Sequence, residues 1–232
     1  MYGSRWRQVV AAAGLMATGL AFAEAPMSVD DAGTMDAGGK KAEAGWSKAG
    51  DVRAWEVAAG FSPAEHWEIG VAWEWDREKD HQSRERDRGG SLSVKWVPVQ
   101  TDAGWSVGAL FDLGHRQWWS PATDEKDTYQ TMSALGLATY RANAHVLHLN
   151  AGVARDTQSD ENTALWGLGY EYELSDTVAL LAQYYGEEGS SPTRGVGVRW
   201  TVAEGMKVGV MVDRTTGRDR ETAVALSWAW EF

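Results

Sequence analysis

An all-β fold, a transmembrane antiparallel up-and-down β-barrel of about twelve strands behind a cleaved signal peptide, is what this 232-residue sequence predicts. Three observations predict it. From about residue 40 onward, apolar residues recur with a period of two. The connections between these stretches alternate between short and long, and the chain finishes on LSWAWEF, where aromatics alternate with small or polar residues and no polar tail follows.

The front end comes first. MYGSRWR carries two arginines, QVVAAAGLMATGLAFA is an apolar run of small residues and leucines, and Ala21-Phe22-Ala23 forms an A-x-A cleavage site before Glu24. That order is the pattern of a secretory signal peptide over residues 1–23. The run is shorter than the ~20 apolar residues that a membrane helix needs. Its removal takes away Arg5 and Arg7 and no acid, so the formal charge goes from −11 to −13. An acidic chain lacks the basic footprint of a nucleic-acid binder. With no cysteine, neither a disulfide framework nor a thiolate metal site is available. Residues 24–39 are polar and carry no strand pattern, and such a segment can enter a barrel from the periplasmic side.

The barrel proper is expected over residues 40–232. Two less regular stretches, 41–48 and 53–61, precede the clearest one, 67–75. There Trp67, Ile69, Val71, Trp73 and Trp75 share one face, while Glu68, Gly70, Ala72, Glu74 and Asp76 share the other. Further alternating stretches lie at 92–97, 105–116, 129–140, 145–155, 164–172, 178–187, 195–201, 206–213 and 222–232. Short turns separate them at 62–66, 100–104, 141–144, 175–177 and 203–205. Longer polar connections are expected at 77–89, 117–128, 156–162, 188–192 and 215–220, with only 49–51 tight at that end. Turns at one end and loops at the other are the asymmetry of an outer-membrane barrel, with periplasmic turns, extracellular loops and a periplasmic C-terminus.

A soluble barrel would point its apolar face inward and show water a varied polar face. Here the second face mixes charges with glycine: Gly70 and Glu74, Gly108 and Asp112, Gly167, Gly169 and Glu171, Gly197 and Arg199, Gly209 and Asp213. Glycine on an outer face weakens strands without gain, whereas inside a tight barrel it makes room for charged neighbours and water. Trp67 and Trp75, eight residues apart, stand about 26 Å apart along a strand and roughly 20 Å apart along the membrane normal at a tilt of about 40°. That fits an apolar band bounded by aromatic girdles.

An exported, cysteine-free chain of alternating strands closing on Trp228, Trp230 and Phe232 looks like a Gram-negative outer-membrane protein. In such proteins a C-terminal aromatic on the lipid face resembles the signal read by the barrel-assembly machinery. The resemblance therefore implies that machinery, membrane lipids and lipopolysaccharide as partners. Val29-Asp-Asp-Ala-Gly-Thr-Met, Gly38-Gly39, Glu43-Ala-Gly-Trp46 and Trp67-Glu-Ile-Gly70 further resemble a group of outer-membrane transporters labelled with the MetA pathway of phenol degradation.

The inward face supplies the candidate pore-lining residues: Glu56, Glu68, Glu74, Asp76, Lys95, Asp112, Arg116, His148, Glu171, Gln183, Arg199, Lys207, Asp213 and Glu231. Acids outnumber bases among them, so a hydrated lumen would favour cations over anions. Twelve strands about 4.8 Å apart and tilted about 40° give a backbone radius near ~12 Å, enough for a narrow channel and also small enough to be filled.

No phosphate loop, zinc-protease helix or nucleophile elbow is present, and no cofactor is implied. His81-Gln-Ser83 has the H-x-S spacing that outer-membrane phospholipase A places on a strand, yet here it sits in the charged run EKDHQSRERDR with nothing to hold a triad. His148 and Asn150 share an inward face and would need a hydroxyl such as Ser133. A polar lumen lining accounts for both more simply, so no enzyme is expected. Two functions remain open: a passive outer-membrane channel or transporter for small solutes, and a structural or surface-interaction barrel with a blocked lumen.

Overall fold

The computed structural model describes residues 26–78, 84–217 and 220–232. Twelve strands follow one another: β1 (Lys40–Ala49), β2 (Val52–Ala64), β3 (Trp67–Glu78), β4 (Arg86–Val99), β5 (Gly104–Ser120), β6 (Glu125–Ala142), β7 (His145–Asp156), β8 (Glu161–Ser175), β9 (Val178–Glu187), β10 (Thr193–Ala203), β11 (Met206–Thr215) and β12 (Thr222–Glu231). Each pairs antiparallel with its chain neighbours, and β12 returns to β1 with Lys41 opposite Glu231 and Ala49 opposite Ala223. Closure leaves no sheet edge, the condition for a sheet to stand in hydrocarbon. The last residue takes part. The Phe232 amide donates to the Lys40 carbonyl at 2.8 Å, and the Lys40 amide donates to the Phe232 carbonyl at 2.9 Å.

The alternation read from the sequence is an inside-out pattern. On β3, Val71 is 53% exposed and Trp73 50%, while Ala72 and Glu74, their neighbours in the chain, are 7% and 3% exposed. Aromatic pairs gather toward both strand ends on the outer face. Trp67 stacks on Trp96 with ring centroids 5.7 Å apart and Trp105 meets Tyr140 at 5.0 Å near one end; Trp55 stacks on Trp75 at 6.4 Å toward the other. These are the girdles that amphipathic rings form at a membrane surface.

One end of the barrel carries both strand termini and five tight turns. The left-handed backbone at Asn143 (φ 53°) and Gly205 (φ 67°) lets two of these chains reverse in two residues. The other end departs from expectation. The long polar connection predicted at 117–128 is mostly strand, and those at 77–89 and 156–162 are strand in part: β5 and β6 stay paired out to Ser120 opposite Glu125, and β7 and β8 out to Asp156 opposite Glu161. In these two hairpins residues 121–124 and 157–160 remain as turns. Above the apolar band both faces of a hairpin meet water, so the period-two signal disappears while the backbone ladder continues.

Residues 26–38 form no strand. Gly38 donates to the Ser62 carbonyl at 2.7 Å and Ser62 donates back to Gly39 at 3.0 Å, which pins the segment beside β2 at the turn end. Upstream of that point it runs into the barrel, where Met27, Val29, Asp30 and Ala32 are buried.

Candidate functional site

Among the described residues the buried charged side chains face the lumen, and its wall divides into two parts. On β3 to β6, toward the loop end, the Arg116 guanidinium lies among three carboxylates. It bonds Glu74, reaches Asp76 at 3.1 Å and donates from Nε to Asp87 at 2.9 Å, while the Tyr129 hydroxyl donates to Asp87 at 2.6 Å. Every partner is on a strand adjacent to, or one removed from, that of Arg116. The charges run along the wall and not across the space. Glu56 faces Glu74 in the β2/β3 register, and Asp112 lies buried on β5 with Ser93 opposite it on β4.

Around the rest of the wall, side chains reach the N-terminal segment. Lys95 on β4 binds Asp30 and Asp31, each at 2.9 Å, and Arg141 on β6 adds Asp31 at 3.3 Å. The Ala32 amide donates to the Thr139 hydroxyl at 2.8 Å and the Asp30 amide to the Asn150 carbonyl oxygen at 2.7 Å. Asn150 returns a bond to the Asp30 carbonyl at 2.8 Å. The Ser28 amide donates to Gln183 at 2.8 Å, and Gln183 in turn donates to Asp213 at 2.8 Å. A side chain added at Gly167 or Gly169 would strike Val29 or Met27, so these two glycines are where the segment lies against β8. The segment thus sweeps across the lumen from β4 to β9.

Nearer the turn end, Lys41 binds Glu68 at 2.7 Å and approaches Glu43 at 3.8 Å. The His148 ring is held between the Thr139 hydroxyl at 3.0 Å and Glu171 at 3.1 Å, and Arg199 makes two bonds to Glu171. Open space survives on both sides of the segment. Cavities of about 620 Å³, lined by His148, Glu171 and Arg199, and about 310 Å³, lined by Lys41, Glu68 and Lys95, lie at the turn end; one of about 120 Å³ lies on the loop side.

Of the fourteen residues expected on the inner face, Glu56, Glu68, Glu74, Lys95, Asp112, Arg116, His148, Glu171, Gln183 and Asp213 are buried there, with Asp76 and Arg199 nearly so. Lys207 and Glu231, 3.8 Å apart, stand at the turn-end rim. Sequence reasoning missed Lys41, Glu43, Asp87, Tyr129 and Arg141. The first two lie on an alternating stretch and were legible by period; Asp87, Tyr129 and Arg141 fall in or at the edge of stretches read as connections. Residues 26–35 cross the lumen, the filled arrangement that the sequence left open beside a narrow channel.

A family described as uncharacterised conserved protein UCP029691 matches residues 11–228. The chain belongs to that family. A comparison with curated proteins gave no match. Among solved structures, this UCP029691 member is similar to the KdgM porin (TM-score 0.64, 9% identity, covering 83% of this chain and 99% of that one). It is similar to the COG4313 outer-membrane channel from Pseudomonas putida F1 (TM-score 0.64, 8% identity, 87% and 98% covered). It also resembles the outer-membrane phospholipase A of Escherichia coli (TM-score 0.51, 10% identity, 93% and 96% covered). At such identities the likeness shows the fold: the twelve-stranded outer-membrane barrel.

Of the residues weighed for catalysis, the three that are described, His148, Asn150 and Ser133, form no triad. His148 is occupied by Thr139 and Glu171, and Asn150 by the backbone of Asp30, while Ser133 lines the loop-side cavity. His81 and Ser83 lie outside the described residues. At the terminus, Trp230 and Phe232 are exposed on the outer face with ring centroids 4.6 Å apart, and Trp228 is partly covered beside them.

Proposed function

We propose that this protein is an outer-membrane channel for small solutes whose lumen is closed by its own N-terminal segment. One observation supports this most. The amides of Ser28, Asp30 and Ala32 donate to wall side chains and not to the sheet backbone. Withdrawing the segment therefore costs no ladder bond, and the barrel stands without it. Its charged anchors add little net hold, because ion pairs released into water are largely repaid by hydration. Interiors plugged by a non-strand segment are an established state of outer-membrane barrels.

The solute class follows from the wall. Glu56, Glu68, Glu74, Asp76, Asp112, Glu171, Asp213 and Glu231 outnumber Lys95, Arg116, Arg199 and Lys207, and a confined negative excess repels anions. One structure of the KdgM porin holds oligogalacturonate. Such a polyanion does not suit the lumen of this chain; cationic or uncharged solutes do. We place the loop end outside the cell and the turn end, with the C-terminus, in the periplasm. Phe232 is proposed as part of the assembly address, so Phe232→Asp should lower the heat-modifiable folded form in outer-membrane fractions.

The test is conductance in planar bilayers after deletion of residues 26–35. The shortened protein should give stable unitary steps and pass potassium ahead of chloride. That preference should fade as the Debye length shrinks from ~10 Å at 0.1 M salt to ~3 Å at 1 M. A second reading, a structural barrel with a permanent core, draws on the complete burial of Met27 and Ala32. A deletion variant that assembles and stays silent would establish it.

A further inference from the structure

Most of the inner wall is charged or small, but on β5 to β9 it is not. Leu110, Leu135 and Leu165 point inward, Tyr185 joins them, and Val29 of the N-terminal segment forms the floor of the same cavity. The space between them is about 120 Å³. That is close to the ~150 Å³ apolar cavity known to take one benzene ring. Packed interiors seldom leave such a void, since side chains close on one another. Here the closed ladder fixes the distance between walls, so the leucines cannot collapse inward.

Most of the exposed lining is apolar, although Ser28, Thr193 and Glu187, which accepts from the Ser190 hydroxyl at 2.7 Å, also border the cavity. The Asn150 amide is engaged with the Asp30 backbone on both sides, and Asp30 itself is engaged by Lys95. Ser133 offers a hydroxyl from the wall, and loop residues Ser190 and Ser191 border the opening side. We propose that this cavity is a binding site for a small uncharged molecule of about one ring, largely apolar, with at most one or two hydroxyl groups. A charged group would have to shed its hydration against leucine, and a sugar would leave most of its hydroxyls unpaired. Because Val29 is the floor, the site exists only while the segment is in place. As a first stop on a route through the barrel, the cavity rests on the channel reading; as a binding site it stands without it.

The test uses fluorine NMR on the mature protein in detergent, with 4-fluorobenzyl alcohol as the apolar probe and 3-fluoro-3-deoxyglucose as the polar one. Micelle partitioning is common to all variants and cancels in the comparison. The alcohol should show saturable broadening with the wild type, and the sugar should show none. Leu135→Trp, which fills the cavity, should weaken alcohol binding by at least about tenfold, a difference well within measurement. Leu165→Asn, which adds a polar group without bulk, should weaken it in the same direction and decides the matter if Leu135→Trp fails to fold. Equal broadening in all three proteins, or a sugar response matching that of the alcohol, overturns the site. Binding retained in a protein whose deletion variant is electrically silent overturns the channel and leaves the site standing.

Discussion

The wall around Arg116 and the wall that faces the N-terminal segment solve the same problem differently. Both bury charges inside the barrel, and both pair them. Around Arg116 the partners, Glu74, Asp76 and Asp87, belong to β3 and β4, so the pairing is sewn into the sheet and is lost only if the barrel opens. Around Lys95 and Arg141 the partners, Asp30 and Asp31, belong to residues 26–35, where the amides of Ser28, Asp30 and Ala32 bond wall side chains and not the sheet backbone. One region is a permanent brace and the other a removable closure. What separates them is not charge or burial but which piece of backbone carries the counter-charge.

The comparison breaks most readily at Arg116. Arg116→Leu leaves three carboxylates without their cation in a buried setting, a change that costs about 3–5 kcal/mol for pairs of this kind. Unfolding in lipid vesicles should show that loss, with no increase in conductance. A similar stability for the variant would mean that the brace does not brace.

The next effect concerns the faces on which both regions depend. Val71→Arg puts a cation into lipid near mid-strand and should cost about 2–4 kcal/mol. Ala72→Arg, at a position 7% exposed and facing inward, should cost clearly less because it meets water and acids. Equal losses in the same unfolding assay would remove the assignment of inside and outside.

Lys95→Leu should have the smallest effect on stability and the clearest effect on opening. Asp30 and Asp31 lose a shared cation, but the segment can carry them to water, so the barrel should lose no more than about 1 kcal/mol net. Open probability in bilayers should rise instead. A stability loss as large as that of Arg116→Leu would erase the distinction between brace and closure.

Much of this was legible in the sequence, for reasons that also explain what was not. Strand β3 announces its faces because Trp67 to Asp76 alternates without interruption, and the inward list from Glu56 to Asp213 follows from that one rule. The hairpins beyond the apolar band were taken for loops, since Gln117 to Thr128 faces water on both sides and carries no period. Asp87 falls inside such a stretch, and Tyr129 stands at the edge of one. The apolar patch was hidden by its setting: Ala109, Leu110 and Phe111 are apolar in succession, so the period that puts Leu110 inward with Gly108 and Asp112 carries no contrast of polarity there, while Phe111 is 55% exposed. The polarity of residues 24–39 left the lumen open to them. Their path was out of reach, because contacts such as Asp30 to Asn150 join positions 120 residues apart and leave no local pattern.

The central claim is that the N-terminal segment closes the lumen and can leave it without unfolding the barrel. A reversible tether tests this directly. A β-carbon built on Gly167 falls 3.6 Å from that of Val29, within the ~3.5–4.5 Å that a disulfide spans, and the chain has no other cysteine to interfere. In the Val29→Cys/Gly167→Cys protein, single-channel current under applied voltage should be absent when oxidised and should return on reduction, while the heat-modifiable form stays the same in both states. Current of equal size in the two redox states, or none after reduction, would contradict the account.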